Sequence, residues 1–179
     1  MYGIEHKGII IKIIKGNITE QSTDAVVNAA NKKLSPGGGV AGAIHSAAGP
    51  GLWKECKRIG HCETGEAVIT KGYKLPAKWV IHTVGPVWAN REEDSKLLIA
   101  SYINSLALAD SNNLRSISFP AISTGAFGYP LEDGAEIALQ SISEAADTLS
   151  SVKIVQFILY DDRAYNVFEK KLKDLEEKF

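Results

Sequence analysis

The 179 residues suit one domain of ordinary size, able to bury about two-thirds of the surface that an unfolded chain exposes. Apolar residues at 45% and charged residues at 23% exclude disordered, collagen-like and fibrous classes. Lys+Arg 20 against Asp+Glu 21, a net charge of −1, argues against gripping a nucleic-acid backbone, whereas a small anionic ligand needs only a local site.

No apolar run of about 18 residues is present to span a membrane. The opening Met1-Tyr2-Gly3-Ile4-Glu5-His6-Lys7 lacks the apolar segment and small-residue cleavage pattern of a signal peptide, so a cytoplasmic protein is expected. Cys56 and Cys62 are too few for a disulfide scaffold and read as reduced thiols. With His61 between them they suggest zinc, but the spacing of a four-ligand site is missing and no metal or other cofactor is expected.

In chain order, 8–15 (GIIIKIIK) and 24–30 (DAVVNAA) are β-branched or apolar runs that predict strands. A helix follows over 40–48, and strands are predicted over 65–71 and 77–84. Leu98, Tyr102, Leu106 and Ala109 draw one apolar stripe along a second helix, and Ala135, Ala138, Ile142, Ala145 and Leu149 do the same later. Strands over 116–122 and 152–160 complete a set of about six, the last apolar enough to be covered on both faces. The charged stretch 162–178 reads as a final amphipathic helix. Strand and helix alternate, which predicts an α/β fold with a largely parallel sheet between helical layers. No repeat or linker interrupts the chain, so 1–179 is read as a single domain.

Gly37, Gly38 and Gly39 lie between a predicted strand and a predicted helix, in the run SPGGGVAGAI. Glycine tolerates positive φ and lacks Cβ, so backbone N–H groups can close on an anion while the helix adds its positive end. The bland alternative is an ordinary strand-to-helix turn. Ser123-Thr124-Gly125-Ala126-Phe127-Gly128-Tyr129-Pro130 is a second such loop, and in a parallel sheet both emerge at the carboxyl edge, where ligands bind. Two phosphate loops on one edge point to a diphosphate. Neither matches the spacing of a P-loop or a Rossmann fingerprint. Asn28 and Asn31 end the preceding strand, where their amides can meet sugar hydroxyls or simply cap a turn. Tyr160 closes the last strand, where its ring can stack on a base or merely pack.

The chain resembles a macrodomain, the ADP-ribose-binding α/β module, through Gly16-Asn17-Ile18-Thr19, Val26-Val27-Asn28-Ala29-Ala30-Asn31, Gly37-Gly38-Gly39-Val40, His82-Thr83-Val84-Gly85-Pro86 and Phe119-Pro120-Ala121-Ile122-Ser123-Thr124-Gly125. The motifs keep the family's order and spacing from about residue 10 to about residue 168. Gly42-Ala43-Ile44-His45 and Gly65-Glu66-Ala67-Val68-Ile69-Thr70 make it look most like the MacroD-like branch, which hydrolyses ADP-ribose from acidic side chains and deacetylates O-acetyl-ADP-ribose. The resemblance implies a three-layer α/β/α sandwich with a mixed, largely parallel central sheet. It further implies ADP-ribose or an ADP-ribosylated protein as the partner.

Position by position, it implies that Asn17 reaches the exocyclic amine of adenine with help from the Ile18 backbone, and that Tyr160 flanks the base. Gly37, Gly38, Gly39 and Val40 on one side and Ser123, Thr124, Gly125, Ala126 and Phe127 on the other would wrap the diphosphate, with Phe127 along the distal ribose. Asn31 would hold a distal-ribose hydroxyl and serve catalysis, while Asn28 supports the loop from behind. Two residues depart from the family. Asn17 stands where Asp is usual, and Ala41 stands ten positions after Asn31, where the MacroD-like pattern has a catalytic acid. The implied function is an ester hydrolase acting on ADP-ribosyl or O-acetyl-ADP-ribose substrates, with a non-catalytic ADP-ribose reader as the alternative that Ala41 favours. His45 could substitute as a base, and His82 reads as a core residue.

Overall fold

The structure, a computed structural model, describes all 179 residues. Strand β1 (Tyr2–His6) and strand β2 (Ile9–Lys15) form an antiparallel hairpin across Lys7 and Gly8, whose φ values of 50° and 77° give the tight turn that matches strand twist. The strand β1 is absent from the sequence expectation. Only Ile4 of it is buried, as befits an edge strand whose short pattern carries little periodicity. Gly8, expected to start a strand, belongs to the turn.

The remaining strands are β3 (Ala25–Ala29), β4 (Ala67–Lys71), β5 (Trp79–Thr83), β6 (Ser116–Phe119) and β7 (Ile154–Leu159). They order as β1-β2-β7-β6-β3-β5-β4, with β1 and β4 antiparallel to their neighbours and every other pair parallel. The central sheet is therefore mixed and largely parallel, as expected, with seven strands in place of six.

Helices α1 (Gly39–Ala48) and α2 (Pro50–Ile59) cover one face, and α3 (Glu92–Ser111), α4 (Leu131–Ala145) and α5 (Asp162–Glu176) cover the other. Successive strand residues point opposite ways. Val26, Val80 and Ile158 therefore join Ile44 and Leu52 in one core, while Val27, Ile81 and Phe157 join Tyr102, Ala138 and Phe168 in the other. Helix α2 has no counterpart in the sequence expectation, although Pro50 at its first turn and Gly60 (φ 86°) at its end are standard helix punctuation. The stripe that places Leu149 on α4 overruns: the helix tightens into a 3-10 turn over Ala146–Thr148, and Leu149 is extended.

Parallel strands aim their carboxyl ends at one edge. The segments after β2, β3, β6 and β7 gather there, and the candidate site is built from them.

Candidate functional site

After β3 the Asn31 amide closes the chain on itself. Its Nδ2 donates to the Ser35 carbonyl at 2.9 Å, and its Oδ1 accepts from the Ser35 N–H at 3.1 Å and the Ser35 hydroxyl at 3.2 Å. Leu34, with φ 57° and no exposed surface, anchors the turn in the core. Helix α1 then begins behind Gly38 with no side-chain cap, and the first of its N–H groups to find an acceptor is that of Gly42, bonded to the Gly38 carbonyl at 3.2 Å. The N–H groups of Gly39, Val40 and Ala41 thus lack partners, as the first turn of any helix dictates, and those of Gly37 and Gly38 lack them too. Such a cluster of donors at a positive helix end suits an anion.

The second loop leaves β6 through Ser123, which holds the left-handed conformation at φ 67°, and is closed by the Tyr129 N–H on the Ser123 carbonyl at 2.9 Å. Gly85 is packed against it so tightly that a Cβ would meet Ser123 Oγ at 2.2 Å. The N–H groups of Gly125, Ala126 and Phe127 make no bond within the protein, and the Phe127 carbonyl accepts from Trp88 N–H at 2.8 Å. The last contact, with a half-exposed tryptophan, carries no sequence signal. Val40 from the first loop and Thr124 and Gly125 from the second line one cavity of about 250 Å³, together with Tyr160 and Arg163. Arg163 likewise carries no sequence signal, standing within the charged run of α5.

Next to this cradle a slot of about 430 Å³ is lined by Gly16, Asn17, Ile18, Gly39, Val40, Ala43, Pro120, Ile158 and Tyr160. Tyr160 stands 83% exposed at its mouth, so the ring is free of core packing. Asn17 lines this slot, as expected, with its amide oxygen turned to its own loop: Oδ1 accepts from the Thr19 N–H at 2.9 Å and from the Thr19 hydroxyl at 2.8 Å, capping the 3-10 turn Ile18–Glu20.

Residues 27–138 match the family model described as the macro domain. The chain belongs to the macro domain family. This macro domain is 51% identical over 173 residues to a macro domain-containing protein of Caldanaerobacter subterraneus, covering 93% of this chain and 98% of that one. It is 49% identical to a protein of Salmonella newport named O-acetyl-ADP-ribose deacetylase, over 90% of this chain and 93% of that one. Among solved structures, the Oceanobacillus iheyensis macrodomain with ADP superimposes with a TM-score of 0.95 at 41% identity, covering 99% and 97% of the two chains. The Trypanosoma brucei macrodomain in complex with ADP-ribose does so at 0.86 and 41%, covering 90% of this chain and 68% of that one.

Behind the first loop, the macro domain carries a buried polar row. Asn28 Nδ2 donates to His82 Nδ1 at 3.0 Å, and the remaining ring nitrogen, Nε2–H, donates to Thr70 Oγ1 at 2.9 Å. That assignment leaves His82 neutral and satisfied, a core residue, and burial pushes its pKa down to about 3, the His45 charge adding slightly. Asn28 thus lies beneath the loop, not on the cleft. His45 is buried without a hydrogen bond at either ring nitrogen, and burial lowers its pKa. Cys56 lies beside His82 at 3.8 Å, His61 bonds Glu63, and burial raises both Cys56 and Cys62 to about 11. Ala41 occupies the third position of α1, 6% exposed, and presents only a methyl group. No helix is long and apolar enough to cross a membrane.

Proposed function

We infer that this macro domain binds ADP-ribose across the carboxyl edge of its sheet and hydrolyses O-acetyl-ADP-ribose and ADP-ribosyl esters of acidic side chains. The observation that carries the reading is the sharing of one cavity by Val40, Thr124 and Gly125, which brings the two loops, with the unpartnered N–H groups of Val40 and Gly125, to one space suited to a diphosphate. The adjoining slot, apolar but for Asn17 and the Tyr160 hydroxyl, takes the base. Phe127 and the Asn31 turn take the distal ribose. The relative named O-acetyl-ADP-ribose deacetylase supports the reaction class.

For the ADP-ribosyl ester, water would attack the anomeric carbon of the distal ribose, the carboxylate leaving with the bonding pair and the water proton passing to solvent; for O-acetyl-ADP-ribose, water would attack the acetyl carbonyl carbon, the ribose oxygen leaving with the bonding pair and taking up a proton as acetate is released. With Ala41 supplying no base, a phosphate oxygen of the bound ligand orients that water. Losing a positioned base costs about 10²–10⁴-fold, so turnover is slow. ADP-ribosylated protein is the proposed macromolecular substrate, and the cytoplasm the proposed location, where the unpaired Cys56 and Cys62 stay reduced.

The non-catalytic reader remains the second reading because Ala41 lacks a carboxylate. Single-turnover release of ADP-ribose from a glutamate-linked substrate, assayed beside O-acetyl-ADP-ribose, separates the two. Release above the uncatalysed rate from either substrate supports the hydrolase, and release at that rate from both supports the reader.

A further inference from the structure

The base slot is lined by one amide side chain, that of Asn17, half-buried between Gly16 and Ile18. The orientation of its amide is unambiguous. The Thr19 N–H can only donate, so the atom 2.9 Å from it must be oxygen, and the Thr19 hydroxyl 2.8 Å away takes up that oxygen's second lone pair. The Nδ2 hydrogens have no partner within the protein. What Asn17 holds in reserve for a ligand is therefore a donor and not an acceptor.

A carboxylate here would behave differently. One of its oxygens would cap Thr19 and the other would stay free to accept from the 6-amino group of adenine. An amide opposes that group donor against donor, but matches the carbonyl oxygen of a purine oxidised at C6. We propose that Asn17 tunes the base end of this cleft to hydrogen-bond acceptors at C6, so that its ligands include 6-oxopurine nucleoside diphosphate riboses as well as ADP-ribose. The proposal rests on the cleft being the nucleoside diphosphate ribose site inferred above.

Calorimetric titration of the native protein and of Asn17→Asp with ADP-ribose and with inosine diphosphate ribose tests it. Asn17→Asp keeps the Thr19 cap, so folding is preserved. The native protein is expected to bind the inosine ligand within threefold of ADP-ribose or tighter, and the variant to shift that ratio at least tenfold toward ADP-ribose. A native preference for ADP-ribose beyond threefold, or a shift smaller than tenfold in the variant, overturns the assignment of Asn17 while leaving the cleft reading intact. Failure of the native protein to bind either ligand at millimolar concentration overturns both.

Discussion

Gly42 is pressed against the carbonyl of Gly37 so closely that a Cβ on Gly42 would lie 2.2 Å from that oxygen. The helix that carries the unpartnered N–H groups of Gly39, Val40 and Ala41 is thereby seated directly against the Gly37–Gly38 loop. In an exposed helix Gly→Ala stabilises by roughly 0.5–1 kcal/mol. Here Gly42→Ala must push the Gly37 carbonyl away, so the expected outcome has the opposite sign: a lower Tm and at least a tenfold loss of ADP-ribose affinity by calorimetry. A more stable variant with native affinity would show that the loop has room to give.

Gly38 offers the complementary test, because a Cβ there meets nothing within 4 Å and its φ of −87° suits any residue. Gly38→Glu is expected to fold with a Tm within about 2–4 °C of native, the effect of a surface change. It should nevertheless abolish ADP-ribose binding, since the added carboxylate occupies the space in front of unpartnered N–H groups. Native-like binding by this variant would remove the diphosphate from the first loop.

Ala41→Asp separates the enzyme from the reader. The third position of a helix favours a carboxylate through the dipole, so the variant is expected to remain folded. Single-turnover release should accelerate by at least about tenfold, part of what a positioned base supplies, with ADP-ribose affinity little changed because the gain belongs to the transition state. Unchanged release by a folded, binding-competent variant would leave position 41 outside the chemistry. Asn31→Ala should slow release in either background, since its amide holds the Ser35 turn and hence the loop proposed to orient the ribose.

The neutral, buried His82 makes stability fall in mild acid. Above pH 6.5 the ring is neutral in both states. Below it the unfolded chain takes a proton that the folded protein refuses until about pH 3, so stability drops by up to about 1.4 kcal/mol per pH unit across that window. Urea denaturation should show about 2 kcal/mol lost to this group between pH 7 and pH 5. His45, also lowered by burial, adds in the same direction. In His82→Gln the slope should flatten by the His82 share, whatever the variant's absolute stability. An unchanged slope would mean that other groups govern acid sensitivity.

Much of the fold is legible in the residues because burial leaves periodic marks. Five of the six expected strands lie in the interior of the sheet or beside its edge as β-branched or apolar runs, and the stripes of α3 and α4 face the core that they predict. The unread elements are those that bury little: β1 hides Ile4 alone, and α2 hides only Leu52 and Cys56 among charged neighbours. The strand expected over 116–122 ends at Phe119, because residues at the carboxyl edge stay apolar after leaving the ladder to shape the loops.

The residue types at the cleft are equally legible: glycines where unpartnered backbone N–H groups gather, amides at strand ends, an aromatic ring at the sheet edge. Which atoms those amides leave for a ligand is not. Asn17 and Asn31 read alike as side chains able to meet a base or a sugar, yet one spends its oxygen on Thr19 and the other spends both its oxygen and a donor on Ser35. Composition and order determined that two glycine loops would meet at one edge of an α/β sheet, because hydrophobic period and backbone freedom are properties of the chain itself. Only the tertiary structure decided the polarity of the site, because a hydrogen bond consumes a specific lone pair or proton, and its partner is chosen by distances that exist only once the loops are folded.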